Sequence, residues 1–176
     1  MGKQDQQPAV YGGLNYYKFN KDETINITKV PNQNNFKNII FNNLIFFWSG
    51  VSRSSEKVLI EQKKNIMINK DYLDKIKNNT EYVYNLIKKN NYNIEEFGKR
   101  LDYSWQLKKN LSSNGSNDFI NEAYELAINS GGIGGKILGA GSGGFLMILA
   151  KKENHYKIKR NMKKLNMKDV SFKIAD

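Results

Sequence analysis

The chain has 176 residues, of which 39% are apolar and 12% aromatic, enough for a folded core of about one domain. Cysteine is absent, which excludes a disulfide scaffold, a thiol nucleophile and a thiolate zinc site, and histidine occurs once, at position 155, which nearly excludes a Ser-His-Asp triad or a multi-histidine metal site. The formal net charge is +11, but 25 of the 28 basic residues are lysine and asparagine is equally frequent. Because base readout favours arginine, we interpret the charge as solvated lysine and expect no nucleic-acid partner.

The first part of the chain predicts a short helix, a hairpin and one buried strand. Asp5 is a good N-cap, and the two glycines at 12 and 13 are a stop signal for the helix that follows it. Aromatic and alternating segments then indicate strands, and a continuous apolar run indicates a buried one. The predicted elements are a helix at 5–11, strands at 14–19 and 24–30 with a turn at 20–23 between them, a loop at 31–35 and a strand at 43–48.

The remainder predicts long amphipathic helices around a glycine-rich stretch at 131–144. Asn93, with glutamates two and three residues later, is a capping pattern for one of these helices. The predicted elements are helices at 54–67, 71–89, 93–109 and 118–129, a strand at 145–150, a helix at 152–165 and a strand at 170–174. Together they indicate an α+β fold, an antiparallel sheet with helices packed on one face.

Three segments have residues suited to phosphate chemistry. Residues 136–145 read Lys-Ile-Leu-Gly-Ala-Gly-Ser-Gly-Gly-Phe, and their glycines let backbone N–H groups approach an anion, although the same run would also suit tight turns. Asp5 at a helix start stays ionised, which suits either capping or accepting a hydroxyl proton. The serines and Arg53 after the buried strand can bind phosphate or simply cap the next helix.

In order and spacing, these segments resemble the second half of the GHMP kinases, the superfamily of galactokinase, homoserine kinase and mevalonate kinase. The resemblance rests on Gly-Lys-Gln-Asp-Gln at 2–6, Ser-Gly-Val-Ser-Arg-Ser-Ser at 49–55 and the glycine-rich segment at 135–145. It is strongest to the heptose 7-phosphate kinase branch. The resemblance implies a GHMP kinase C-terminal domain with a ferredoxin-like antiparallel sheet, and an ATP-dependent sugar kinase that converts heptose 7-phosphate to the 1,7-bisphosphate.

The same resemblance implies roles for individual residues. Asp5 matches the aspartate that relatives place near the acceptor hydroxyl, and Lys3 lies beside it to offset charge. Gln4, Gln6, Ser52 and Arg53 are assigned to the sugar phosphate. The residues that match the loop lining the nucleotide cleft are Lys136, Gly139, Ala140, Gly141, Ser142, Gly143 and Gly144. No metal ligand is assigned within this chain.

The resemblance also implies that a partner segment is needed. The serine- and glycine-rich ATP phosphate loop of the family, and with it most of the groups for ATP and Mg²⁺, does not occur in this sequence. We therefore expect a fragment or split kinase, inactive alone, in which 1–31 belongs with the N-terminal kinase domain and 32–176 is the C-terminal domain. The alternatives are a non-catalytic binding module of the same fold and a nucleic-acid-binding domain based on the lysine-rich last helix.

Location and partners are predicted from what the sequence lacks. No run of 18 or more apolar residues occurs, and the first residues lack the apolar region of a signal peptide. We accordingly expect a cytoplasmic protein with no membrane partner, which binds a sugar phosphate and the missing N-terminal half as a separate chain.

Overall fold

The structure, a computed structural model, describes residues 3–31, 33–50, 55–113, 115–139 and 143–172. The helices in these ranges are α1 (Lys3–Tyr11), α2 (Gln33–Ile39), α3 (Ser55–Lys64), α4 (Lys70–Lys88), α5 (Ile94–Lys109), α6 (Asp118–Asn129) and α7 (Lys152–Lys164). The strands are β1 (Asn15–Phe19), β2 (Ile25–Lys29), β3 (Leu44–Trp48), β4 (Gly132–Ile137), β5 (Phe145–Ala150) and β6 (Lys168–Val170). A short 3₁₀ turn, Phe41–Asn43, precedes β3.

Two antiparallel sheets confirm the α+β prediction. β1 and β2 form a hairpin, and the other strands form a four-stranded sheet in the order β4-β5-β3-β6. Every second residue of β3 and β5, such as Phe47 and Ile148, is buried in a core that also contains Trp105 of α5 and side chains of α6 and α7. Among the helices of the described ranges, none is both long and apolar enough to cross a bilayer.

Strand β4 was not predicted, because the sequence analysis treated its glycines as loop residues. Those glycines instead allow a helix to lie unusually close to the strand. A Cβ at Gly134 would lie 2.0 Å from the carbonyl oxygen of Gly98 in α5, and a Cβ at Gly98 would lie 2.5 Å from a methyl carbon of Ile133. The glycine content of this segment therefore reflects helix–strand packing as well as turns.

The ends of α1 and β6 differ from the predictions. Helix α1 begins at Lys3, so Asp5 is its third residue and not its N-cap. An acidic residue is favourable at either place because both are near the positive end of the helix dipole, so the residue type alone could not separate them. The last strand pairs with β3 over Lys168–Val170 and not over 170–174. Beyond it, Phe172 packs against Phe46 and Phe145; residues 173 and 174 lie outside the described part.

Helix α2 occupies much of the segment expected to be a loop, and its first residue holds the hairpin in place. The Gln33 side-chain amide donates to the carbonyls of Leu14 (3.0 Å) and Val30 (3.1 Å), and its oxygen accepts from the Leu14 N–H (3.3 Å). Tyr16 of β1 stacks on Tyr84 of α4 with ring centroids 4.3 Å apart. The hairpin, and the chain entering it from α1, is thus attached to the helices of the larger sheet.

Candidate functional site

Two of the three predicted segments meet at one end of the four-stranded sheet. Ser49, which follows β3, is buried, and its backbone N–H donates to the carbonyl of Gly144 at 3.0 Å. In return, the Gly144 N–H donates to the Ser49 hydroxyl oxygen, also at 3.0 Å. This reciprocal pair extends the pairing of β3 and β5 and fixes the start of the 49–55 segment against the glycine-rich loop.

The glycine-rich loop, residues 138–144, connects β4 to β5. The Leu138 N–H donates to the Phe145 carbonyl at 2.9 Å, which closes the base of the loop. Gly139 has φ +82° and Gly144 has φ +98°, values that favour glycine. Apart from its chain neighbours, no atom lies within 4 Å of the place where a Cβ of Gly139 would be, so that side of the residue faces open space. Both observations fit a loop whose backbone accepts a ligand.

Two lysines reach this end of the sheet from different elements. Lys108, in the last turn of α5, donates to the carbonyl of Gly139. Lys136 lies on β4 opposite Met147 of β5, and burial lowers the pKa of its ammonium group. A desolvated ammonium group becomes more favourable when an anion binds beside it, and the ammonium group of Lys108, bonded to the Gly139 carbonyl, is a positive charge placed directly against the loop.

Lys108 is a residue that sequence analysis missed. In the sequence it is one of two lysines at a helix C-terminus, where lysine is common for reasons of helix electrostatics. Nothing in its local pattern distinguishes it from Lys109, whose ammonium lies 6.0 Å from the centre of the Trp105 ring instead. The distinction depends on how α5 is rotated against β4, which the close approach at Gly134 determines.

The other predicted site residues are placed only in part. Gln6 is in α1 and is exposed. The backbone of Lys3, Gln4 and Asp5 forms the first turn of α1, but their side chains lie outside the described part. Ser52, Arg53, Ala140, Gly141 and Ser142 also lie outside it. The roles assigned to these residues stay predictions.

The described residues fit phosphate better than they fit a metal. Open glycine backbone and the ammonium groups of Lys108 and Lys136 are suitable partners for the phosphates of ATP. Within the described ranges, no group of three or more His, Asp or Glu side chains is placed to hold a metal ion.

A polar cluster between α5 and α6 has a structural explanation. The Tyr124 hydroxyl donates to Asp102 at 2.6 Å, and the Gln106 amide donates to the same carboxylate oxygen at 2.8 Å. Burial, followed by the bond to Asp102, raises the pKa of Tyr124 far above its usual value. Tyr124 therefore stays protonated and links α6 to α5 beside β4. Because its hydroxyl is 2.6 Å from its acceptor in a buried site, we assign it to stability and not to catalysis.

Residues 84–167 match the family model described as GHMP kinases C terminal. The chain is also 26% identical, over 97% of its length, to the D-glycero-alpha-D-manno-heptose 7-phosphate kinase of Campylobacter jejuni. The match covers 51% of that enzyme, so the chain spans about half the length of this relative. The predicted resemblance to the C-terminal half of this family is confirmed.

Solved structures show the same fold. The mevalonate kinase of L. major, in complex with R-mevalonate, superposes with a TM-score of 0.70 at 18% identity, over 91% of this chain and 47% of that one. A D-glycero-D-manno-heptose 1-phosphate kinase from Bacteroides thetaiotaomicron superposes with a TM-score of 0.66 at 20% identity, over 97% of this chain and 45% of that one.

Proposed function

We propose that the chain is the C-terminal part of an ATP-dependent sugar kinase acting on a heptose phosphate, because residues 84–167 match the family model of the GHMP kinase C-terminal domain. The observation that carries the proposal is the reciprocal bonding of Ser49 and Gly144, which brings two motif segments to one end of the sheet. Heptose is favoured because the curated relative is named for heptose 7-phosphate and a structural neighbour for heptose 1-phosphate.

On the donor side, the glycine-rich loop lines the cleft that receives the phosphates of ATP. Its backbone N–H groups and the ammonium group of Lys136 stabilise negative charge, while Lys108 holds the Gly139 carbonyl and so the entry to the loop. In phosphoryl transfer, positioning and charge stabilisation provide most of the catalysis. ATP, with Mg²⁺, supplies the transferred phosphoryl group when bound.

On the acceptor side, Asp5 orients the anomeric hydroxyl and accepts its proton late in the transfer, and Lys3 balances the added charge. Arg53 pairs with the phosphate that the sugar already carries, because a guanidinium binds phosphate in a bidentate manner. Gln4, Gln6 and Ser52 bind the sugar. The product on this proposal is the 1,7-bisphosphate of the heptose.

Activity should require residues that correspond to the other half of the relatives. The chain spans 51% of the curated heptose kinase, and phosphoryl transfer depends on a complete cradle for phosphates and metal. We assign 1–31 to the N-terminal kinase domain and 32–176 to the C-terminal domain, and we expect the 176-residue chain to be inactive alone. The second candidate is a binding module with the same fold and no catalysis.

The test supplies the chain with the half of the Campylobacter jejuni kinase that it does not span, either fused or as a second polypeptide. We expect ATP consumption that depends on heptose 7-phosphate, with phosphorus NMR locating the new phosphate on the anomeric oxygen. Asp5→Asn should abolish turnover, whereas Asp22→Asn, the same change in the hairpin turn, should not. Turnover that survives Asp5→Asn would refute the assigned mechanism, and failure to restore activity with any complementing half would favour the binding module.

A further inference from the structure

The turn between α3 and α4 presents three consecutive apolar side chains to solvent. Ile66 is 49% exposed, Met67 82% and Ile68 81%. Single exposed apolar residues are common on protein surfaces, but contiguous ones usually mark an interaction site. We call residues 66–68 the apolar tip.

The apolar tip stands on a well-anchored base. Asn69, only 7% exposed, donates from its side-chain amide to the Leu111 carbonyl at 2.8 Å. On the other side, the carboxylate of Glu61 accepts from the backbone N–H of Ser113 at 2.8 Å and from its hydroxyl at 3.1 Å. These three bonds tie the two sides of the turn to the segment between α5 and α6, so the fold holds the tip outward.

Lysines flank the apolar tip on both sides. Lys63 and Lys64 precede it and Lys70 follows it, and all three are exposed. Of the nearest acidic residues in sequence, Asp71 is balanced by Lys75 at 2.6 Å, and Glu61, which keeps its charge, is turned towards Ser113. We call these three lysines the lysine rim, and its positive charge is complementary to an anionic surface.

The geometry points to a peripheral membrane site: we propose that the apolar tip enters the headgroup region of a bilayer containing anionic lipid while the lysine rim binds lipid phosphates. Surface-bound proteins combine these two contributions, apolar insertion and attraction to anionic lipid. A surface contact needs no membrane-spanning segment. The proposal therefore departs from the expectation of no membrane partner, which rested on the lack of such a segment.

A second copy of the chain is a poorer occupant. In a twofold dimer the same patch faces itself, so the lysine rim of one copy would lie against that of the other. Like charges brought together in this way oppose association.

A shallow groove of about 320 Å³ adjoins the tip and is lined in part by Ile66, Leu73 and Leu111. The groove extends the apolar surface and can take part of an acyl chain.

The test measures sedimentation of the 176-residue chain with vesicles of phosphatidylglycerol and phosphatidylethanolamine, against vesicles of phosphatidylcholine alone. We expect binding to the anionic vesicles only. Met67→Ser/Ile68→Ser should weaken it at least tenfold, and each lysine of the rim changed to glutamine should weaken it about fivefold. Tyr156→Ser, a change at a side chain 77% exposed on α7, is the matched apolar control and should have no effect.

Changing Lys152, Lys157 and Lys163 of α7 to glutamine removes as much charge from another exposed surface and is the matched charge control. If this triple variant loses as much vesicle binding as the variant with all three rim lysines changed to glutamine, the proposal is overturned in favour of diffuse attraction. Absence of vesicle binding by the unaltered chain would also overturn it. A third outcome is that the unaltered chain does not bind vesicles but dimerises as its concentration rises, and that Met67→Ser/Ile68→Ser abolishes the dimer. That outcome would overturn the proposal and assign the patch to a second copy of the chain. As an independent measurement, the additional tryptophan fluorescence of the Met67→Trp variant should be quenched by nitroxide-labelled lipid in anionic vesicles. If that fluorescence is not quenched in the bound protein, insertion of the tip is refuted.

Discussion

The close approach of α5 to β4 gives the sharpest prediction from this structure. A Cβ added at Gly134 would lie 2.0 Å from the carbonyl oxygen and 2.8 Å from the carbonyl carbon of Gly98, and 3.2 Å from the backbone nitrogen of Asp102. These are backbone atoms, so no side-chain rotation relieves the contact. The helix or the strand must move by more than about 1 Å to reach an ordinary separation.

Gly134→Ala should therefore lower the free energy of unfolding by about 3 kcal/mol, the upper part of the range for overpacked sites. Gly98→Ala is the matched control on the other side of the same contact. Its Cβ would meet side-chain atoms of Ile133, at 2.5 and 2.9 Å, and alanine gains about 1 kcal/mol over glycine within a helix. We expect Gly98→Ala to cost about 1 kcal/mol, because the helix gain offsets part of the clash. The added change Ile133→Ala should relieve the 2.5 Å contact with the Ile133 methyl carbon but not the 2.9 Å contact with its Cβ.

The free energy of unfolding of both variants can be measured in urea by circular dichroism and by fluorescence, to which the buried Trp105 contributes. The dependence of that free energy on urea concentration should agree between the two signals if unfolding is two-state. The expected order is a large loss for Gly134→Ala and a small one for Gly98→Ala. If Gly134→Ala costs less than about 1 kcal/mol, or no more than Gly98→Ala, the two backbones are not in contact and the rotation of α5 that delivers Lys108 to the loop is wrong.

Two further predictions concern buried polar groups. Tyr124→Phe should lower the free energy of unfolding in urea by about 1 kcal/mol, because Asp102 loses its 2.6 Å donor. Since the pKa of Tyr124 is raised in the folded chain, its hydroxyl ionises first in the unfolded chain above pH 10 and stability falls there, a loss that the variant should not show. An unchanged unfolding midpoint would contradict this prediction. Burial lowers the pKa of Lys136, so between that lowered pKa and about pH 10.5 the folded chain binds fewer protons than the unfolded chain, and stability rises with pH across that interval. Lys136→Met should accordingly stabilise by about 1 kcal/mol at neutral pH, with the gain shrinking towards pH 10.5 in calorimetry, and a destabilisation would show that the ammonium group has a partner in the fold.

Helices with clear end signals were predicted closely. Asn93 accepts a hydrogen bond from the Glu96 N–H at 2.8 Å, as its capping pattern indicates, and α5 ends at Lys109 as predicted. Helix α6 has the predicted bounds, Asp118–Asn129. In both cases local residues determine the end, so one stretch of sequence contains the whole signal.

Elements that depend on distant partners were predicted poorly. The glycines of β4 have low strand preference, and the strand exists because β5 pairs with it and α5 packs closely on it. Likewise Lys108 joins the candidate site only through the packing of α5, while Ser49 and Gly144, within two motifs recognised from sequence, bond to each other in the fold. Motif residues could be listed from the sequence, whereas the supporting lysine required the fold.

The anchoring of the hairpin bears on the proposed division at 31/32. Gln33 lies on the C-terminal side of that division, yet its side chain bonds to Leu14 and Val30, and Tyr16 stacks on Tyr84. The hairpin is thus attached to the C-terminal helices on two sides. The first turn of α1, which contains Asp5, is joined through a short segment to this attached hairpin. Val10 and Tyr11 at the end of α1 are 75% and 59% exposed, so the contacts within this chain hold the hairpin but do not set the direction of α1. If Asp5 acts on a sugar held near the glycine-rich loop, a complementing half must therefore supply the phosphate cradle and also pack against α1 to position the base.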